Sequence, residues 1–384
     1  MLSTKIVSLA MSVTLAVSTQ FINMTDAALQ GMKAITDNIA EVQQEEVKEV
    51  TIVVAGDNLI HSRVIQSGKT SDGYDYTAMY APIKEVIESH DLAIINQETV
   101  LINDASRYSG YPCFGSPTAI GDAVIDAGFD IVLHSTNHVW DKGVDGVLDS
   151  IHFWQEHNIP YVGVRENEED PRVIIVEENG IRIALCNYTY STNGSVIPND
   201  LKYMVSMLYD KDAMLADLQY AEENADITIV FPHWGVEYNH GVTEDQRQMA
   251  QFMADNGADI IVGTHPHVIE PVERITNADG KEVLVYWSLG NFISNQDEVP
   301  RMLGLLAEII IRQDESGTYF VQTMDTPVVT HIESYSNYFE VYPLWGYTEE
   351  LAEQHRLRRV RGEAMSLHNL NKIFNEVLWR ENIP

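Results

Sequence analysis

The chain has 384 residues, 45% of them hydrophobic, and a formal net charge of −33 at pH 7. That length holds one large α/β domain or two ordinary ones, and the composition is globular rather than disordered. The charge excludes a nucleic-acid backbone as partner, which needs a basic footprint, and excludes simple electrostatic capture of a polyanion unless a bound cation reverses the local field.

The amino terminus reads Met1-Leu2-Ser3-Thr4-Lys5, then an apolar stretch over 6–17. A lone lysine before about a dozen apolar residues has the layout of a secretory signal. It is short of the roughly 20 residues of a spanning helix. Residues 1–24 are expected to be a signal peptide or membrane anchor, and the protein to be exported, either extracellular or membrane-associated. Residues 25–49 are polar and acidic and read as a linker.

A folded domain over 50–330 begins with Val50-Thr51-Ile52-Val53-Val54-Ala55, a short buried strand. Periodicity then predicts helices over 80–90, 119–127, 144–157, 212–224 and 244–256. Strands are predicted over 92–95, 131–133, 227–231 and 260–262. Two more, 174–176 and 181–185, flank Asn179-Gly180, a strong hairpin signal. Runs at 272–275, 283–288 and 303–311 read as largely antiparallel strands. Residues 331–384 are expected to form a mostly helical extension packed on the domain. Arg356, Arg358, Arg359 and Arg361 there read first as a solvated helix face. This order predicts a layered α/β fold with mixed sheets. Two cysteines, Cys113 and Cys186, make neither a disulfide scaffold nor a cysteine zinc site; a bridge between them after export stays open.

The functional signal lies at the strand ends. Gly263-Thr264-His265-Pro266-His267 follows an apolar run directly, and imidazole suits Zn, Mn and Fe. Carboxyl ends of strands are where α/β sheets place their sites. Asp57 and then His61 follow the first strand, Glu98 the second, and Asn137, His138 and Asp141 the third. His233 and Glu237 follow the strand at 227–231. Two cations held about 3.5–4 Å apart need a bridging carboxylate and mixed nitrogen and oxygen ligands. The candidate metal ligands are therefore Asp57, His61, Glu98, Asn137, His233, His265 and His267. His138, Asp141 and Glu237 are the candidate catalytic groups. Asp141 is as well suited to bracing its loop as to touching substrate. The expected cofactor is a pair of divalent transition ions, Mn, Fe or Zn. No Gly-x-Ser-x-Gly elbow and no phosphate-binding loop ending in Lys-Ser/Thr is present.

At these residues the sequence resembles the CapA family, the poly-γ-glutamate capsule biosynthesis proteins, which is similar in fold to the calcineurin-like metallophosphoesterases. The likeness runs from about Thr51 to Asn291. It rests on Gly56-Asp57, Asn96-Gln97-Glu98-Thr99, Ala127-Gly128-Phe129-Asp130 and Asn137-His138 with Asp141 and Gly143. It continues through His233-Trp234-Gly235-Val236-Glu237-Tyr238, the Gly263 to His267 motif, and Ser288-Leu289-Gly290-Asn291-Phe292. The resemblance implies a four-layer α-β-β-α sandwich with mixed sheets. It implies Glu98 as the bridging acid, Asn137, His233 and His265 at one ion, and Asp57 and His267 at the other. His138 would stand where the phosphoesterases keep an acid. The chain departs from the phosphoesterase pattern at Leu59, where those proteins carry a histidine, at Thr136 in place of a first asparagine, and at Gly115, where a family arginine follows the phenylalanine.

Three functions follow from the resemblance. One is a metal-dependent hydrolase of phosphoesterase type in poly-γ-glutamate capsule biosynthesis or processing. The second is a non-catalytic capsule assembly or export factor, binding the polymer through a metal within a membrane complex. The third is an exported phosphodiesterase unrelated to capsule. The expected partner is poly-γ-glutamate or another surface polymer, with no nucleic acid.

Overall fold

Alternating apolar strands and amphipathic helices build this chain, and the computed structural model describes residues 47–322, 325–362 and 364–378. The expected leader (1–24) and residues 25–46 of the expected linker lie outside the described residues. Among the described residues no helix is long and apolar enough to cross a membrane.

The strands of the first half are β1 (Lys48–Asn58), β2 (Leu92–Asn96), β3 (Leu101–Ile102), β4 (Ser116–Pro117), β5 (Ile131–Leu133) and β6 (Tyr161–Val162). Between them lie α1 (Ser62–Ser67), α2 (Thr77–Tyr80), α3 (Lys84–Glu88), α4 (Ala119–Asp126) and α5 (Gly143–Glu156). Next come β7 (Ile174–Glu178), β8 (Ile181–Thr189), α6 (Lys211–Asn224), β9 (Ile227–His233), α7 (Glu244–Asp255) and β10 (Ile260–Val262). The remaining strands are β11 (Val272–Thr276), β12 (Glu282–Tyr286), β13 (Asn291–Ile293), β14 (Leu303–Asp314), β15 (Gly317–Gln322), β16 (Thr326–Ile332) and β17 (Phe339–Pro343). Three helices follow: α8 (Glu349–Gln354), α9 (Arg356–Val360) and α10 (Leu367–Leu378).

The first sheet has nine strands, in the order β17-β16-β14-β1-β2-β5-β6, with β13 also on β1 and β15 on β14. The second has six, ordered β11-β12-β10-β9-β8-β7. Both are mixed. β1, β2, β5 and β6 run parallel, whereas β14 lies antiparallel to β1. β8, β9, β10 and β12 are parallel and flanked by antiparallel β7 and β11.

Side-chain alternation along the strands produces the layers. Ile183, Leu185, Ile229, Phe231, Ile260 and Val262 face inward and join Ile52, Val54, Ile94 and Leu133 of the first sheet in one core. Their neighbours Ala184, Cys186, Val230 and Ile261 point outward under Met214 and Leu218 of α6 and Met249 and Met253 of α7. Val64, Met79, Ile87, Ile120 and Val124 from α1 to α4 close the other side. The result is the four-layer α-β-β-α sandwich. Each fully buried Leu, Ile or Val contributes about 1.5–3 kcal/mol, so the site rests on a rigid frame.

Three expectations change. The helix expected over 80–90 is two short helices, because Pro82 has no N–H to give at the turn between them. The antiparallel run expected from 272 onward splits. β11 and β12 finish the second sheet, then the chain crosses to the first, where β13 lies parallel and β14 antiparallel to β1. The boundary drawn at residue 330 falls inside β16, and β17 follows; helices begin only after Pro343. Beyond there, Leu344, Ala352, Leu357, Leu370 and Val377 enter the main core. The Asn179-Gly180 hairpin is as expected, with φ of 50° and 75°.

Candidate metal centre

Register places the site. Asp57 at the end of β1 pairs with Asn96 at the end of β2. In the second sheet Thr189, His233 and Thr264 stand side by side at the ends of β8, β9 and the β10 extension. The carboxyl ends of both parallel runs therefore open on one cleft, the position α/β sheets use for ligands. Close approach of the chain at Gly263 is required for this: a Cβ there would meet Trp287 O at 2.1 Å. Beyond Gly263, His265 and His267 take φ of 101° and 59°. Positive φ in non-glycine residues costs on the order of 1–3 kcal/mol each and concentrates at functional sites.

Glu98 is the centre of the arrangement. It is fully buried, and neither carboxylate oxygen has a hydrogen-bond partner. Its Oε1 lies 3.8 Å from His233 Nε2 and 3.8 Å from His267 Nε2. Burial holds this carboxyl well above the usual range, against the pull of His267 and with help from Asp57 and Glu237. Leaving a buried carboxylate unpartnered costs several kcal/mol, so the pocket is built for a cation.

Around it, side chains form three groups whose ligand atoms lie within 4.8 Å of one another: Glu98, His233 and His265; Asp57, Glu98 and His267; and Glu237, His265 and His267. Glu98 belongs to two of these, as a bridging acid must. Asn137 Oδ1 is 3.1 Å from His233 Nε2, which adds an amide oxygen to the first group. On its far side, His233 Nδ1 lies 2.9 Å from Thr264 Oγ1, an outer partner that fixes the ring and leaves Nε2 to the centre. His265 Nδ1 is buried without a partner. Asp57 Oδ1 accepts from Asn96 Nδ2 at 2.8 Å, and Asp57 Oδ2 faces His267 Nδ1 at 3.0 Å.

The electrostatics divide the histidines. Burial, and then the neighbouring imidazoles, push His233 and His265 well below the ordinary value, so both are neutral and have lone pairs to give. Burial also acts downward on His267, but Glu98 and Asp57 outweigh it and raise this ring to about 9. These donors, one amide, three imidazoles and two carboxylates, suit a borderline transition metal. Asp57, Glu98 and His267 would hold one ion, and Glu98, Asn137, His233 and His265 the other.

His61 stands apart from the three groups. Its Nδ1 accepts from the Asn295 N–H at 3.2 Å, and its ring meets Phe114 edge-on at 5.3 Å. Burial lowers it to about 4. The other candidates have distinct places. His138 Nδ1 lies 2.8 Å from Asp141 Oδ2, which also accepts from Phe114 N–H at 2.6 Å. Asp141 thus orients His138 and braces the segment carrying Cys113 and Phe114. Both cysteines are free, Cys113 exposed and Cys186 buried. Glu237 is the exposed member of the cluster.

Two residues at the site escaped sequence reasoning. Asn193 Oδ1 accepts from Asn137 Nδ2 at 3.4 Å, and its Nδ2 lies 3.5 Å from His138 Nε2. The Tyr190 ring is 4.6 Å from that of His265. Both follow β8, which runs to Thr189 rather than 185; the strand-end rule applied there would have found them. Thr192, beside Asn193, helps to line a cavity of about 690 Å³ whose walls mix Arg165, Arg172 and Lys202 with Glu168, Asp200 and Asp210. None of the candidate metal ligands lines this hollow.

The profile of the family described as "Bacterial capsule synthesis protein PGA_cap" matches residues 51–296. The capsule biosynthesis protein CapA of Bacillus anthracis is 30% identical over 271 residues, 68% of this chain and 64% of that protein. The PGA biosynthesis protein CapA of Bacillus subtilis (strain 168) is 31% identical over 211 residues, 52% of each. The chain therefore spans between about half and just under two thirds of the length of these relatives. Among solved structures, Haemophilus influenzae NAD nucleotidase (NadN) superposes with a TM-score of 0.48 at 15% identity, covering 86% of this chain and 67% of that one. A putative 5'-nucleotidase from Staphylococcus aureus gives 0.46 at 16%, covering 77% and 54%.

Proposed function

We propose, on the premise that this chain belongs to the bacterial capsule synthesis protein PGA_cap family, that it performs a metal-dependent hydrolytic step in making or trimming a poly-γ-glutamate capsule. The observation that carries this reading is Glu98: a buried carboxylate, both oxygens unpartnered, between His233 and His267. When bound, a divalent pair polarises the oxygen of a scissile phosphoester or amide and eases deprotonation of a water.

The chain's own residues do the rest. Asp141 Oδ2 accepts a hydrogen bond from His138 Nδ1–H and so turns the Nε2 lone pair to the cleft, where it can take up a proton from water and pass it on to a leaving group. Asn193 and Tyr190 line the approach. The cavity beside Thr192 gives a polymer somewhere to extend. A carboxylate-rich substrate meets a chain of net charge −33, and only a local cation reverses that repulsion. We place the activity outside the membrane, on the strength of the apolar stretch at 6–17.

The test is elemental analysis of the full chain beside Glu98→Ala and His265→Ala, followed by assays on poly-γ-glutamate and on a generic phosphodiester. Expected is about two transition metals per chain, lost in both variants together with turnover. Metal without turnover on either substrate would favour a polymer-holding assembly role; no metal after reconstitution would end the metal reading.

A further inference from the structure

The Asp57 side of the centre has two carboxylates and one imidazole. Asp57, Glu98 and His267 supply it from β1, the end of β2 and the loop after β10. β1 offers no further ligand, since the next side chains facing the core beyond Asp57 include Leu59, which is apolar and 2% exposed. Two carboxylates against two divalent ions also leave the pair under-neutralised, and hard or borderline cations gather further oxygen donors in that situation.

One more carboxylate lies beside His267, on the loop after β9, the strand next to β10 in the second sheet. Glu237 lies with His265 and His267 in a group whose ligand atoms are all within 4.8 Å. The segment carrying it is held. Gly235 has φ of 90° and Tyr238 of 66°. Tyr238 N–H donates to Pro266 O at 2.7 Å, tying the segment to the loop of the two histidines. The Tyr238 ring lies under the Arg301 guanidinium at 3.6 Å, and its Oη accepts from Gln296 Nε2 at 3.4 Å. A surface glutamate on a free loop needs no such anchoring, and the positive φ of the non-glycine Tyr238 persists only where its surroundings over-determine it.

We infer that Glu237 is a metal ligand, the solvent-side carboxylate of the pair, set between His265 and His267. This deepens the proposed function and rests on its metal-dependent reading. It moves Glu237 from the catalytic groups, where strand-end position alone had put it, to the binding shell. It also explains why an exposed acid sits against two buried imidazoles.

The experiment is a titration of the full chain with Mn²⁺ by equilibrium dialysis, and with Co²⁺ by visible absorption, for wild type, Glu237→Ala and Glu237→Gln. Because Glu237 is exposed, both variants should keep the wild-type melting temperature without metal. Expected is two ions in the wild type, and in both variants one ion retained while the other binds at least 10-fold more weakly, with a changed cobalt spectrum. Two ions at wild-type affinity and an unchanged spectrum in both variants would overturn this inference alone. A wild type that binds no ion would overturn the metal reading beneath it.

Discussion

His138 Nδ1 sits 2.8 Å from Asp141 Oδ2, and both side chains are almost wholly shielded from solvent. An ionised carboxylate only accepts hydrogen bonds, so it selects the imidazole tautomer with its proton on Nδ1 and its lone pair on Nε2. Replacing Asp141 by Asn keeps the shape and removes that selection. Turnover should fall by about 10²-fold or more with KM little changed and metal content intact. A pH–rate profile and a metal assay check this; unchanged kcat would remove His138 from proton transfer. The same variant weakens the Phe114 N–H bond, so a stability loss of about 1 kcal/mol should accompany it.

Glu98→Gln should separate stability from function. Both Glu98 oxygens lack a hydrogen-bond partner, and an amide of the same shape is no better served there, so the exchange should change the stability of metal-free protein little. The variant should therefore melt close to wild type in chelator. Added Mn²⁺ should raise only the wild type, since only a bound ligand stabilises. A variant that melts lower in chelator would show that Glu98 already has a compensating partner.

Thr264→Val should loosen metal binding without touching the ligands. Thr264 Oγ1 is 2.9 Å from His233 Nδ1, and removing such an outer partner typically costs 10–100-fold in affinity. Dialysis against Mn²⁺ reads the change. Restoration by Thr264→Ser would tie it to the hydroxyl rather than to packing.

Glu270 predicts a stability that declines toward alkaline pH. Burial raises its carboxyl to about 8, opposed by a hydrogen bond from Gln246 Nε2. A folded-state pKa above the unfolded one means the group's contribution is whole below the unfolded value of 4.5 and is lost as pH rises through about 8. The slope should amount to a few kcal/mol. In Glu270→Gln, urea melts between about pH 5 and 8 should lose that slope; parallel curves for the two proteins would refute the assignment.

Read as a string of residues, this protein disclosed a good deal. Asp57, Glu98, Asn137, His233, His265 and His267 were legible because each follows an apolar run, and a strand buried on both faces cannot end in such groups without a use for them. The layered α/β class was legible for the same reason, since apolar runs alternating with amphipathic helices pack in few ways. Pairing was not. Whether the strands after residue 272 stay in one sheet or cross to the other depends on register between segments far apart in sequence, here β1 with β13 and β14. Nor could sequence tell Asp141, which orients His138, from a substrate contact, or bring Glu237, after β9, against the buried imidazole of His267, after β10. Residue type and local period determine which groups can do chemistry; only the folded chain decides which of them meet, because proximity across two sheets comes from long-range packing that no local pattern encodes.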